Sequence, residues 1–339
     1  MLAPSRIIRS TPAQAGGGRQ RPVLVAQART AIEEGSKSFA AASKLFDRAT
    51  RERVWLLYAW CRRCDDIADA QDMGGELGDQ SDADKRLRSI KLLTKRAFDR
   101  MPTADVAFDA FGQVARETAI TREMADDVIA GFALDAADWR PRTEKDLLQY
   151  CFHVAGAVGV MMAMVMGVAK DETETLDRAC DLGLAFQLSN IARDIEEDDA
   201  AGRCYLPLEW LSEADIPPGQ HMKPMFRTEL VAIVARLVEI AEKHEAASRL
   251  GARKLPFRSR WAVLSAARIY GAIGRKVRNR GASAWNHRIY ISGAAKLRHV
   301  TAAFFEALIN RPRKPAEMPR WSRGDFARVP AAPEAIDPE

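Results

Sequence analysis

Residues 147–169 contain no Asp, Glu, Lys or Arg across 23 consecutive positions. On a helix such a run is apolar all round, so lipid or other helices must cover every side of it. Its length would cross a bilayer, but Gln149, His153, Gly156, Gly159 and Gly167 interrupt it, and its neighbours are amphipathic. A buried central helix is predicted, and burying one completely demands a surrounding layer of helices. The rest of the chain supplies that layer. Apolar periodicity predicts helices over 51–70, 84–98, 106–115, 121–137, 173–199, 228–250 and 261–280. Shorter helices are predicted over 31–46 and from the segment after Asn286 to Leu308. Strand signals are nearly absent, so the fold class is all-α, about ten helices around a central apolar cavity. One domain is expected over 31–310. Residues 1–30 hold five Arg, no acid and a Gly16 to Gly18 run, and are expected to form a disordered basic tail. Residues 311–339, with six prolines, are expected to be an unstructured tail.

Two helices carry oxygen-bearing side chains at four-residue steps. Asn190, Asp194 and Asp198 form one stripe, with Gln187 on the same face. Asp65 and Asp69 form the other, sharing a face with Tyr58 and Arg62. The helix before Asp65 has Val54, Leu57, Cys61 and Cys64 at three- and four-residue steps, so these acids end a largely buried helix. Two carboxylates about 6 Å apart repel by about 3 kcal/mol at an effective dielectric near 20. On a buried face they need cations, or their pKa values rise. A hard divalent ion suits such oxygen donors. Two stripes facing each other would present ions to a diphosphate and neutralise its charge as it leaves. The plainer alternative is a solvated acidic face on each helix.

The sequence around these stripes resembles the paired aspartate-rich motifs of the squalene and phytoene synthases. GSKSF at 35–39, YCFHVAGAVG at 150–159 and RCYLP at 203–207 resemble further signatures of that family, in the family's order. The resemblance runs over about 31–310, and WCRRCDDIAD, SKSFAAASKLF and AGRCYLPLEWL look most like its bacterial phytoene synthases. It implies a helical isoprenoid synthase fold that joins two molecules of geranylgeranyl diphosphate head to head, through prephytoene diphosphate, to phytoene. Diphosphate is released, and the reaction is the first committed step of carotenoid biosynthesis. The implied metal is Mg²⁺, with Mn²⁺ as the alternative, on Asp65, Asp69, Asn190, Asp194 and Asp198. Tyr150 and Tyr270 join the four aspartates as implied catalytic residues. Ser36, Lys37, Ser38, Phe39, Tyr58, Arg62, Gln187, Arg193, Arg203, Tyr205 and Arg288 are the implied substrate contacts. No NADPH is expected. A synthase of the squalene or dehydrosqualene type acting on farnesyl diphosphate is the rival within the family. A chain-elongating prenyltransferase or terpene cyclase, and a non-enzymatic assembly or lipid-binding factor, are rivals outside it.

The net charge of +5 says little, but residues 246–305 hold 13 Lys and Arg and no acid. Such a patch could meet nucleic acid, an anionic membrane or diphosphates. No nucleic-acid-binding signature is present, so nucleic acid is not expected. A cytoplasmic location is expected, with peripheral association on the inner face of the membrane and contact with downstream carotenoid enzymes as further expectations. The five cysteines, an odd number in a long chain, argue against a secreted disulfide scaffold. Cys61 and Cys64, mid-helix and without a second pair, are expected to be core packing.

Overall fold

A computed structural model describes residues 18–71, 78–79, 81–311, 313–315 and 317–326, with residues 37 and 38 described in their backbone alone. No strand element lies among the described residues. The chain begins with α1 (Arg21–Gly35), breaks at Ser36, and continues as α2 (Lys37–Ser43) and α3 (Arg48–Ala68). Next come α4 (Ala83–Phe98), α5 (Val106–Glu117) and α6 (Arg122–Ala136). The uncharged run is a single rod: α7 (Glu144–Cys151), one π-helical turn (Phe152–Gly156) and α8 (Ala157–Val165). Then follow α9 (Thr173–Ala200), α10 (Leu208–Glu213), α11 (Arg227–Ala252), α12 (Phe257–Arg280), α13 (Gly293–Ile309) and the short α14 (Arg323–Phe326).

Glu144–Val165 is long and apolar enough to cross a membrane by length and composition, but 72% of its most apolar window is buried inside the protein. Leu147, Leu148, Phe152, Met161 and Met164 pack into the main core, with α3, α6 and α9 around them. A capping box at Thr143 and Asp146 starts the rod. Its glycines serve the neighbouring helix. A Cβ on Gly159 would sit 2.5 Å from the Ala179 carbonyl oxygen, and one on Gly183 would sit 2.3 Å from that of Ala155. The backbones of α8 and α9 touch because neither position has a side chain. A different face stays partly open: Val154, Val158, Met162 and Met166, at four-residue steps, are only half-buried. His153 is fully buried, with Nδ1 2.8 Å from the Asp127 carbonyl and Nε2 without a partner.

Within the described residues, both predicted tails depart from expectation. The predicted tail over 1–30 includes α1 from Arg21, whose Leu24, Ala28 and Ile32 are buried, one per turn, against α3 and α5. The arginine composition misled because Arg21 is no surface charge: it meets Glu117 at 2.6 Å and Glu52 at 2.5 Å. Residues 1–17 lie outside the described residues. The predicted helix over 31–46 is two helices, since extended Ser36 ends α1 and caps α2. The predicted tail from 311 returns to the core. Phe326 is 1% exposed and packs on Phe152, Gln149 donates to its carbonyl at 3.2 Å, and Arg323 meets Asp177 at 3.1 Å. Residues 327–339 lie outside the described residues. The five cysteines are unpaired.

Candidate active site

Helix α3 starts at Asp47, whose carboxylate accepts from the Thr50 backbone N–H. Val54, Leu57 and Cys64 are buried, which leaves Tyr58, Cys61, Arg62 and Asp65 along a half-buried face. Arg62 meets Asp65 at 3.1 Å and Asp66 at 2.7 Å. Gln71, in the turn after α3, donates to Asp65 and Asp69 at 3.5 and 3.4 Å. Burial lifts the Asp65 carboxyl to about 6. Arg62 opposes that rise, while Asp69, Asp66 and Asp135 add to it.

On α9, Gln187, Asn190, Asp194 and Asp198 are half-buried on one face. The side-chain oxygen of Asn190 is buried and has no partner. Asp194 is gripped by Arg193 at 2.7 Å and by Arg288 at 3.1 Å, and Arg288 also reaches Glu197 at 3.3 Å. Arg288 arrives there because the Trp285 indole N–H donates to the Ala192 carbonyl at 3.0 Å, pinning the segment after α12 to α9. Burial and the nearby Asp194 charge push the Asp198 carboxyl up to about 7, against the pull of Arg203. Tyr270 of α12 stacks on Phe186 with ring centres 4.1 Å apart.

The ends of the two stripes are joined by Arg203, whose backbone N–H donates to the Asp198 carbonyl at 2.8 Å and whose side chain reaches Asp69, and by a residue that sequence reasoning missed. Asp135, near the end of α6, accepts from the hydroxyls of both Tyr150 and Tyr205 at 3.1 Å. Those two rings stack 4.7 Å apart. Arg203 reaches Asp69 at 3.4 Å, and Asp65, Asp69, Asp135 and Arg203 line one pocket. Burial holds Asp135 at about 6, opposed by Arg203 and the two phenols. Asp135 acts on the titration of both Asp65 and Asp198, one from each stripe. Burial raises the phenols of Tyr150 and Tyr205 far above their usual value, so both stay protonated donors. Asp135 carries no recognisable spacing; its one signal is a carboxylate at the inner end of an apolar helix face.

Midway along α3, Phe39 packs on Tyr58 with ring centres 5.6 Å apart. The Ser36 hydroxyl accepts from the Phe39 backbone N–H and so caps α2. Lys37 and Ser38 fall on α2, but their side chains lie outside the described residues. The donor set suits a hard cation: Asp65 and Asp198, whose carboxyls burial pushes up, and one orphaned amide oxygen. Among the described residues, no three acidic, histidine or cysteine side chains converge tightly enough to enclose an ion by themselves.

The squalene/phytoene synthase family pattern matches residues 32–295. This chain belongs to the squalene/phytoene synthase family. It is 47% identical over 285 residues to a phytoene synthase of Pseudescherichia vulneris, covering 84% of this chain and 92% of that one. It is 42% identical over 308 residues to a 15-cis-phytoene synthase of Pantoea ananas, covering 89% and 98%. A crystal structure of a dehydrosqualene synthase superposes with a TM-score of 0.73 at 27% identity, covering 84% of this chain and 96% of that one. A squalene synthase of Alicyclobacillus acidocaldarius shares the fold at a TM-score of 0.67, covering 77% and 95%.

Proposed function

We propose that this family member condenses two molecules of geranylgeranyl diphosphate to phytoene through prephytoene diphosphate. The observation that carries the proposal is the 42% to 47% identity to named phytoene synthases over most of the chain, and the link that Arg203 makes between the ends of the two stripes supports it. Asp65 and Asp69 on one side, and Asn190, Asp194 and Asp198 on the other, would hold Mg²⁺. When bound, the ions supply charge neutralisation for departing diphosphate. Arg62, Arg193 and Arg288 already stand among these carboxylates and are positioned to turn to phosphate oxygens. Arg203 bridges Asp69 and the Asp135 group.

The reaction would proceed through two ionisations, the first followed by coupling and the second by rearrangement. Loss of the first diphosphate leaves an allylic cation, which the double bond of the second substrate attacks. One proton is lost, and the cyclopropyl ring of prephytoene diphosphate closes. Loss of the second diphosphate, rearrangement and a second proton loss give phytoene. Val154, Val158, Met162 and Met166, half-buried at four-residue steps, would supply an apolar wall that keeps water from the cation. Tyr270, stacked on Phe186, faces the arginine end of α9. Tyr150 and Tyr205 are held by Asp135 with their oxygens fixed. Gln187 and Phe39 complete the lining beside Asn190 and Tyr58.

A dehydrosqualene-type reaction on farnesyl diphosphate is the second reading, favoured by the structural likeness to a dehydrosqualene synthase. The test is incubation of purified protein with Mg²⁺ and each diphosphate separately, without NADPH, followed by identification of the hydrocarbon. A C40 product from geranylgeranyl diphosphate supports the proposal. A C30 product alone supports the second reading, and prenyl alcohols alone defeat both.

A further inference from the structure

Helix α13 has two apolar faces. Its inner face, Ala303 and Ala307, packs with Leu264 and Ala252 under Phe257 and Trp261. Its outer face carries Leu297, Phe305, Leu308 and Ile309, which are 67%, 57%, 63% and 65% exposed. Leu297, Thr301, Phe305 and Leu308 follow one another at three- and four-residue steps, so they form a continuous stripe. Tyr290, 68% exposed, stands just before the helix. Such a concentration of exposed large apolar side chains on one element marks an interaction surface.

The charges around it select the partner. Arg298 lies on the same outer face and is exposed. Arg253 and Arg311 are exposed at the helix C-terminus, where the Asn310 amide donates to the Arg253 carbonyl at 3.3 Å. Glu306 is drawn away from the rim by Arg268 at 2.7 Å and Arg249 at 3.5 Å. Not all of the basic run over 246–305 is free: Arg275 and Arg278 are taken up by Glu245 and Glu242 of α11. What surrounds the apolar stripe is nevertheless cationic. A second copy of this chain docked by a two-fold axis would bring these arginines against their own equivalents. An anionic lipid surface would not, since apolar side chains enter the acyl boundary while arginines meet headgroups.

We infer that the outer face of α13 is a docking surface for an anionic lipid bilayer, with Leu297, Phe305 and Leu308 inserted and Arg253, Arg298 and Arg311 on the headgroups. Tyr290 sits where an amphipathic ring favours the interface. Nothing in this surface depends on the chemistry of the chamber, so its failure and that of the proposed reaction are separate.

Co-sedimentation of the full chain with phosphatidylcholine vesicles, with and without phosphatidylglycerol, tests it. Wild type should bind the anionic vesicles about tenfold better than the neutral ones, and high salt should remove that preference. The triple variant Leu297→Ser, Phe305→Ser, Leu308→Ser should lose about tenfold in binding. Its melting temperature and turnover of detergent-dispersed substrate should stay unchanged. Leu308→Ser alone, a milder variant, should lose about threefold. Arg253→Glu with Arg298→Glu should bind both vesicle types alike. Equal binding of wild type to both vesicles, or binding untouched by these variants, overturns the inference. So does a concentration-dependent dimer that the triple variant dissociates while wild type ignores vesicles.

Discussion

The acidic stripes of α3 and α9 have the same four-residue spacing and differ in how their arginines are distributed. On α3, Asp65 has Arg62 beside it, but Asp69, Asp66 and Asp135 outweigh that cation, with burial, and its carboxyl rises to about 6. On α9, Asp194 is closed between Arg193 and Arg288. The difference comes from what each helix packs against. The last turn of α3 looks toward the acid at the end of α6, whereas the segment after α12 delivers Arg288 onto α9. On α3 the cations are shared, Arg62 between Asp65 and Asp66 and Arg203 with Asp69. On α9 they are concentrated on Asp194, and Asp198 one turn on is pushed up to about 7 by burial and by the Asp194 charge. On that side the buried side-chain oxygen of Asn190 has no partner.

The largest expected effect tests whether both halves are needed. Asp65→Asn and Asp194→Asn should each lower diphosphate release by about 10³-fold, with the fold intact by circular dichroism. Near-normal release by Asp194→Asn in excess Mg²⁺ would confine the chemistry to α3. Next in size is the joint between the stripes. Asp135→Asn should reduce kcat by about 10²-fold with little change in KM, because it frees two phenols and leaves Arg203 with less to hold. Tyr150→Phe should cost a similar factor, and the double variant little more than either, if they act as one unit. Additive losses would separate Asp135 from Tyr150.

Much of this was legible in the chain. The stripes, the central rod and, α10 apart, the helices from α3 to α13 follow from spacing and periodicity, which are local. What escaped depends on distant segments meeting. Asp135 is ordinary within α6 and matters because the rod brings Tyr150 and the segment after α9 brings Tyr205 to it. Helix α1 presents only one buried residue per turn, too narrow a face to stand out beside its arginines. Phe326 looked like part of a polar tail until its ring reached Phe152. The small residues of the rod fitted either a hydrocarbon or a helix. At Gly159 the answer is α9, so a larger side chain there would force helices apart rather than fill the chamber.

A smaller effect sharpens the contrast in Asp194. Arg288→Ala should lower kcat/KM by about tenfold, since a phosphate contact is lost. The same change should tighten Mn²⁺ binding to the substrate-free protein a few-fold, measured by titration calorimetry, because an intramolecular competitor for the carboxylate is gone. Arg62→Ala should tighten it less, since Arg62 is shared between Asp65 and Asp66. Weaker Mn²⁺ binding in Arg288→Ala would mean that arginine orders the stripe instead of blocking it.

The smallest effect is a pH dependence in the metal-free protein. Asp65 and Asp135 titrate at about 6 and Asp198 at about 7 when folded, against 3.8 for an ordinary Asp. Between those values the folded chain holds more protons than the unfolded one. The stability these groups contribute is therefore present below 3.8 and is lost as pH rises through about 6 and then about 7. The contribution to the melting temperature should be a decline of a few degrees over that window. The stripes should divide it: Asp65→Asn flattens the lower part and Asp198→Asn the upper. Saturating Mg²⁺ should flatten both, because a bound cation favours the ionised carboxylate that burial disfavours. A decline that survives all three changes would arise outside the stripes, and would leave α3 and α9 electrostatically alike.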